Sequence, residues 1–143
     1  MKQVYFIFLL LCYLGVFGQE NITLNNTYPT NYFQNPLGIP SVLSGTFGEL
    51  RPNHFHAGLD LKTEQKEGLK VYASAQGYVS RIKISLWGYG KAIYITHPNG
   101  YTTVYAHLQK FNNRIEAYIK KQQYKIESFE IQVFPFANEL PIT

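Results

Sequence analysis

The sequence predicts a mainly β fold, a compact domain built on an antiparallel sheet or sandwich, with one helix at about residues 112–124. The first observation behind this prediction is composition, because 16% of the residues are aromatic, with 12 Tyr and 10 Phe, and aromatic residues favour strands. The second is a series of short β-like runs, separated by Gly and Pro, that begins at Pro36. The third is a single stretch with helical periodicity.

Composition also limits the classes of protein to consider. A length of 143 residues suits one domain. The charged fraction of 15% and the hydrophobic fraction of 45% argue against a disordered chain, which would be more polar and more highly charged. The 13 Lys and Arg exceed the 9 Asp and Glu only mildly, so no nucleic-acid partner is expected.

The N-terminus has the pattern of a secretory signal peptide, predicted at residues 1–18. Lys2 precedes an almost unbroken apolar run at Val4–Val16, and Gly18 offers a small residue for cleavage. The run is shorter than the roughly 20 residues that a spanning helix needs, so no permanent membrane anchor is expected. Cys12, the single cysteine, lies inside this run, which excludes an internal disulfide.

Residues 19–35 are predicted to form an extended lead-in, and residues 36–143 the domain. Its strand candidates are four runs: Val71–Ala75, Gly77–Ser85, Lys91–His97 and Tyr101–Leu108. The Asn99–Gly100 pair between the last two is typical of a hairpin turn, because both residues tolerate positive φ. In the last run, alternation places Tyr101, Thr103, Tyr105 and His107 on one face, with Val104, Ala106 and Leu108 toward the core.

The predicted helix rests on four apolar residues that share one helical face: Phe111, Ile115, Tyr118 and Ile119. Asn113 followed by Glu116 resembles a capping box at its start. After the helix, the alternation of Phe129, Ile131 and Val133 predicts a further strand.

His56 and Asp60 are the first candidates for chemistry, because a neutral imidazole and a carboxylate together are common zinc ligands. On a straight strand, residues four apart are about 13 Å from each other, so both could bind one ion only if the backbone bends. Gly58 allows such a bend. The alternative is that Asp60 caps a turn and His56 is an ordinary surface or core histidine.

His107 is the second candidate, since a histidine on a polar strand face can donate a proton or stabilise an oxyanion. It could equally make only a structural hydrogen bond. His54 shares strand parity with His56 and is a candidate spare ligand or support for one, and Arg51 could orient a carboxylate or form a surface ion pair. His97, beside the hairpin turn, is interpreted as structural.

Five segments together resemble the lysostaphin-type (LytM-like) zinc metallopeptidases, in order and with similar spacing over residues 45–108. They are Gly45–Gly48 (GTFG), Arg51–Asp60 (RPNHFHAGLD), Val71–Val79 (VYASAQGYV), Gly88–Gly90 (GYG) and Asn99–Leu108 (NGYTTVYAHL). The resemblance implies that His56 and Asp60 bind Zn²⁺ and that His107 lines the active site and helps to stabilise the transition state. It also implies a mainly antiparallel β domain that is exported to the periplasm or cell envelope of a bacterium and cleaves peptidoglycan peptides.

The sequence departs from this family in one respect. The family's third zinc ligand and its general base come from a later His-x-His motif, and no histidine follows His107. The chain is therefore expected to be the front part of a longer metallopeptidase domain and to be inactive by itself. The alternative is a degenerate, non-catalytic module that binds the cell wall or regulates a partner hydrolase.

Overall fold

The structure, a computed structural model, describes residues 30–143. The predicted signal peptide and most of the predicted lead-in lie outside the described residues. In chain order the strands are β1 (Leu43–Gly45), β2 (Leu50–Arg51), β3 (His54–Phe55), β4 (Asp60–Leu61), β5 (Gly77–Ile84), β6 (Lys91–Thr96), β7 (Thr102–Tyr105), β8 (Ile131–Val133) and β9 (Pro141–Ile142). The helix α1 (Asn113–Ile126) lies between β7 and β8.

The strands form one five-stranded sheet and two small sheets, all with antiparallel pairing. The large sheet has the order β7-β6-β5-β8, and β9 pairs with the other end of β5. One small sheet joins β1 to β4 and the other is the β2–β3 hairpin. The mainly β prediction, with antiparallel sheets and a single helix, is confirmed for the described part of the chain.

The hydrophobic core lies between one face of the large sheet and the helix. Val79 and Ile82 of β5 are fully buried, and Ile82 pairs with Ile93 on β6. Ile115 and Ile119 of α1 pack against them. Each such side chain contributes about 1.5–3 kcal/mol through removal from water, so this layer holds the sheet and the helix together.

The N-cap of helix α1 lies one residue earlier than the sequence predicts. Asn112, not Asn113, is the N-cap, and its side-chain oxygen accepts a hydrogen bond from the backbone N–H of Ile115 at 3.0 Å. Glu116 reaches back to accept from the N–H of Phe111 at 2.8 Å. Asn112 is the cap because it has the extended backbone that a cap needs. The reciprocal bond of a true capping box would join the third helical residue to the N–H of the cap itself, whereas Glu116 binds the N–H of the residue before the cap.

Two strand predictions differ from the structure. Val71–Ala75 forms only an isolated bridge between Val71 and Leu37, because Ser74 uses its backbone groups outside any ladder, donating to the Tyr105 hydroxyl and accepting from Gln34. On β7 the two faces are reversed. Tyr105 packs against the core and bonds Ser74, whereas Val104 is 47% exposed.

Gly77–Ser85, Lys91–His97 and Tyr101–Leu108 do contain strands, although each strand is shorter than its predicted run. Strand β8 matches the predicted strand after the helix, with Phe129 outside it. Within residues 30–143, no helix has the length and apolar character needed to cross a membrane.

Candidate functional site

His56 and Asp60 lie together because the chain bends between β3 and β4. His56 directly follows β3, and its backbone is held by two hydrogen bonds, from its N–H to the carbonyl of Glu49 and from the N–H of Gly48 to its own carbonyl, both at 2.8 Å. Asp60 begins β4, opposite Gly45 on β1. With the bend at Gly58 between them, His56 Nε2 and Asp60 Oδ1 are 3.2 Å apart.

The imidazole of His56 is oriented by a backbone carbonyl. Its Nδ1 lies 2.9 Å from the carbonyl oxygen of Thr46, and because a carbonyl only accepts, Nδ1 carries the proton. The lone pair of neutral imidazole is then on Nε2, the atom that faces Asp60. A hydrogen bond of this kind on the outer nitrogen is what fixes the tautomer and ring orientation of histidines that bind metals.

The carboxylate of Asp60 is held on its other oxygen by Arg51. Nη2 of Arg51 donates to Asp60 Oδ2 at 2.7 Å and to Glu49 Oε2 at 3.0 Å. The hydrogen bond from Arg51 lowers the pKa of the Asp60 carboxyl, partial desolvation opposes this, and the positive charge of Arg51 lowers it further. Asp60 is therefore a carboxylate at neutral pH, with Oδ1 directed at His56.

Gly45 provides the space for this pair. A Cβ atom at Gly45 would collide with Asp60 Oδ2 and would lie 2.7 Å from Arg51 Nη2. Glycine is thus required here by the close approach of two side chains, and its φ angle is not the reason. Sequence reasoning gave no role to Gly45, Glu49 or the Thr46 carbonyl. The clustering of GTFG just before the histidine segment is the one signal that could have suggested Gly45.

His107 lies just beyond β7, where the chain turns out of the strand with a φ angle of 55°. Its backbone N–H donates to the carbonyl of Tyr89 at 3.0 Å. The rings of Tyr89 and His107 also meet edge to face, with their centroids 6.3 Å apart. The imidazole of His107 is exposed. The alternation used in the sequence stops before this residue, so it could not predict where His107 points.

A cavity of about 1030 Å³ opens beside His107, over the inner face of β6 and β7. Its lining includes Ile93, Tyr105 and the loop around Lys70, but neither His56 nor Asp60. His107 therefore lines the cavity, whereas the His56–Asp60 pair lies outside its walls.

The other two histidines are placed apart from the pair. His54 is exposed on the β2–β3 hairpin, where it lies opposite Arg51 in the register and its Nδ1 is 2.9 Å from Asn53 Oδ1. His97 is only 3% exposed. Its two ring nitrogens lie 2.8 Å from the Gln76 carbonyl and 2.8 Å from the Thr103 hydroxyl, an arrangement that matches its structural interpretation.

The His56–Asp60 pair fits one zinc ion. Two ligand atoms about 2.0–2.1 Å from a tetrahedral zinc are about 3.3 Å apart, close to the 3.2 Å between Nε2 and Oδ1. Two lone-pair atoms at this distance repel each other unless a cation lies between them or the imidazole gains a second proton. In the part of the chain that the structure describes, no three His, Cys, Asp or Glu side chains lie close enough together to hold a metal ion.

The bend between β3 and β4 thus brings an oriented histidine next to an arginine-held aspartate on a mainly β domain. Residues 54–124 match the family described as Peptidase family M23. This stretch, which contains His56, Asp60 and His107, belongs to the LytM-like M23 peptidases.

Three relatives match a shorter stretch. They are proteins named DD-carboxypeptidase/endopeptidase Mpg from two strains of Neisseria meningitidis serogroup B and from Neisseria gonorrhoeae, each 44% identical over 57 residues. The match covers 40% of this chain and 13% of each relative, so the chain covers only a small part of the length of these proteins. No solved structure matches the chain.

Proposed function

We propose that the protein is an exported zinc metalloendopeptidase that hydrolyses peptide bonds in bacterial peptidoglycan, in its cross-links or stem peptides. The observation that carries this proposal is the 3.2 Å approach of His56 Nε2 to Asp60 Oδ1, with each side chain held from behind by a hydrogen bond. Membership of the M23 peptidases supports hydrolysis, and the names of the Neisseria relatives support a DD-peptide or cross-link as substrate.

His56 and Asp60 would hold the zinc, which when bound supplies Lewis-acid activation of a carbonyl and of water at neutral pH. Arg51 keeps Oδ2 of Asp60 occupied, so that Oδ1 alone is free to bind the metal. His107, exposed beside the cavity, would donate a hydrogen bond to the oxyanion that develops on the scissile carbonyl.

Catalytic zinc sites use three protein ligands, and the described residues bring two together. The remaining histidines are engaged elsewhere, His97 through both ring nitrogens and His54 through Asn53. Residues 1–143 alone are therefore proposed to bind zinc weakly and to lack activity. The predicted signal peptide at residues 1–18 is consistent with action in the periplasm or cell envelope.

The second candidate is a non-catalytic module that binds the cell wall or regulates a partner hydrolase. The observation that favours it is the same group of only two ligands in residues 30–143. It predicts a protein that binds peptidoglycan but neither retains zinc nor cleaves it.

One experiment separates the two candidates. The protein encoded by the complete gene is purified, its zinc content is measured after dialysis, and its products on cross-linked muropeptides are identified by mass spectrometry. We expect about one zinc per chain and cleavage that falls at least about a hundredfold in His56→Ala, because loss of a ligand exceeds the 10–100-fold loss typical of a supporting residue. Cleavage that is unchanged in His56→Ala would contradict the proposal, and binding without zinc or cleavage would establish the module.

A further inference from the structure

The turn between β5 and β6 exposes three apolar side chains, and one of them, Tyr89, contacts His107. Trp87 at its tip is 86% exposed, and Leu86 and Tyr89 on either side are also exposed. Large exposed aromatic residues on a folded surface commonly mark places where something binds.

Hydrogen bonds fix the turn at both ends. The N–H of Ser85 donates to the Gly90 carbonyl at 3.2 Å, and the Ser85 hydroxyl donates to the Trp87 carbonyl at 2.7 Å. The N–H of Leu86 donates to the carboxylate of Glu130. Gly88 and Gly90 have φ angles of 73° and 59°, which residues with a side chain rarely adopt. The exposed indole is thus presented by a pre-organised turn, which lowers the entropic cost of binding.

The turn is joined directly to the candidate catalytic histidine. The carbonyl of Tyr89 accepts the hydrogen bond from His107, and the Tyr89 ring contacts the His107 ring. Trp87 is two residues away, so its Cα lies within about 7 Å of the Cα of Tyr89. The backbone at Trp87 is therefore close to the backbone that positions His107.

We propose that Trp87 binds the sugar part of the substrate, with the indole stacked against the apolar face of a pyranose ring in the glycan strand. This inference rests on the proposed function, since it concerns the same polymer. An alkyl side chain of a peptide would need walls around it, and residues 85–90 do not line the cavity beside His107. A flat ring needs only a flat, open platform.

The charges around the turn also favour a sugar over a membrane surface. No charged residue lies between Ser85 and Gly90, and the carboxylate of Glu130 is engaged by Leu86. Lys91, the next cation along the chain, donates to the Gln109 carbonyl at 2.9 Å. Membrane-surface segments combine apolar residues with free cations that face the lipid headgroups, and this turn does not provide them.

The test compares Trp87→Ala with Trp87→Phe and with the matched control Phe136→Ala, since Phe136 is 77% exposed on the connection between β8 and β9. The complete protein is assayed on cross-linked muropeptides that carry their disaccharides and on the same peptides freed of sugar. We expect Trp87→Ala to lower kcat/KM about tenfold on the sugar-bearing substrate, mainly through KM, and less than about twofold on the free peptide. Trp87→Phe should keep most of the activity, and Phe136→Ala all of it.

Equal losses of Trp87→Ala on both substrates, or no loss on either, would overturn the assignment. A binding assay keeps the inference testable if the protein cleaves nothing. In the His56→Ala background, sedimentation with intact sacculi should weaken about tenfold on Trp87→Ala but not on Phe136→Ala. Sedimentation with phosphatidylglycerol vesicles is measured in parallel. Loss of vesicle binding with sacculus binding unchanged would assign the turn to a membrane and overturn the inference.

Discussion

The large sheet and the segment that carries the His56–Asp60 pair are ordered by different forces. In the sheet, Val79 and Ile82 are fully buried and pack against α1. In residues 43–61 the apolar side chains of Phe47, Leu50 and Phe55 are exposed, and the pair is held instead by hydrogen bonds and by Arg51. Burial stabilises the fold, whereas a polar network sets the positions of His56 and Asp60. Changes in the two regions should therefore have separable effects on stability and on metal binding.

The largest effect is expected in the sheet. Ile82→Ala should lower the free energy of unfolding by about 2–5 kcal/mol, because it leaves a cavity in a closed core. Val104→Ala on the same sheet should cost less than about 1 kcal/mol, since Val104 is half exposed. Urea unfolding of the complete protein measures both. Similar losses for the two variants would show that the sheet face at Ile82 is not the core.

The next effect is expected at the support of the ligands. Arg51→Met should weaken zinc binding about 10–100-fold with little change in melting temperature, because Asp60 loses the donor on its second oxygen. Gly45→Ala should act in the same direction by displacing the Arg51–Asp60 pair. Competition with a chelator measures the affinity. Lys66→Met, which breaks the exposed pair with Glu64, is the control and should have no effect.

A different outcome at Arg51 would be equally informative. If Arg51→Met melts the protein as strongly as Ile82→Ala does, the two regions are not independent and the arginine is a structural residue. If it changes neither stability nor zinc affinity, Asp60 is positioned by its backbone pairing alone.

A smaller effect is expected at the start of α1. Asn112→Ala should cost about 1 kcal/mol of stability, because the N–H of Ile115 loses its acceptor. Asn113→Ala should change stability by less than about 0.5 kcal/mol, since Asn113 is exposed and Ala favours helix. Thermal unfolding distinguishes them. A larger loss of stability in Asn113→Ala than in Asn112→Ala would show that Asn113 is the cap, as the sequence predicts.

The smallest effect is expected in the pH dependence of stability, at Tyr118, which packs against the core. Burial, followed by the neighbouring Glu139, raises the pKa of the Tyr118 phenol above its usual value. The folded state therefore holds this proton more tightly, and the stability that results is complete below about pH 10 and is lost as pH rises through the raised pKa. Tyr118→Phe should lose less stability than the unchanged protein as the pH rises from about 9.5 to about 11.5. Equal losses by urea unfolding would contradict this.

Much of the fold follows from patterns that are local in sequence. The helix prediction at 112–124 is close to the observed Asn113–Ile126, because its apolar spacing is strong. The choice between Asn112 and Asn113 as the cap depended on backbone geometry that two identical neighbours do not reveal. The prediction of which face of β7 points to the core was wrong for a similar reason. Alternation separates two faces, but only packing shows that the Tyr105 hydroxyl reaches Ser74 and that its face is the inner one.

The candidate site likewise has features that the sequence predicts and features that only the tertiary structure shows. The sequence by itself determined the residue types, a histidine and the single aspartate four residues apart with a glycine between them, and these types suit a pair of zinc ligands as well as a turn cap beside an ordinary histidine. The tertiary structure decided that the chain bends enough to bring the two within 3.2 Å. It also decided that Arg51, nine residues before Asp60, holds the carboxylate, and that His107 joins the turn at Tyr89. Spacing encodes contacts between near neighbours, whereas contacts between distant residues depend on the path of the whole chain.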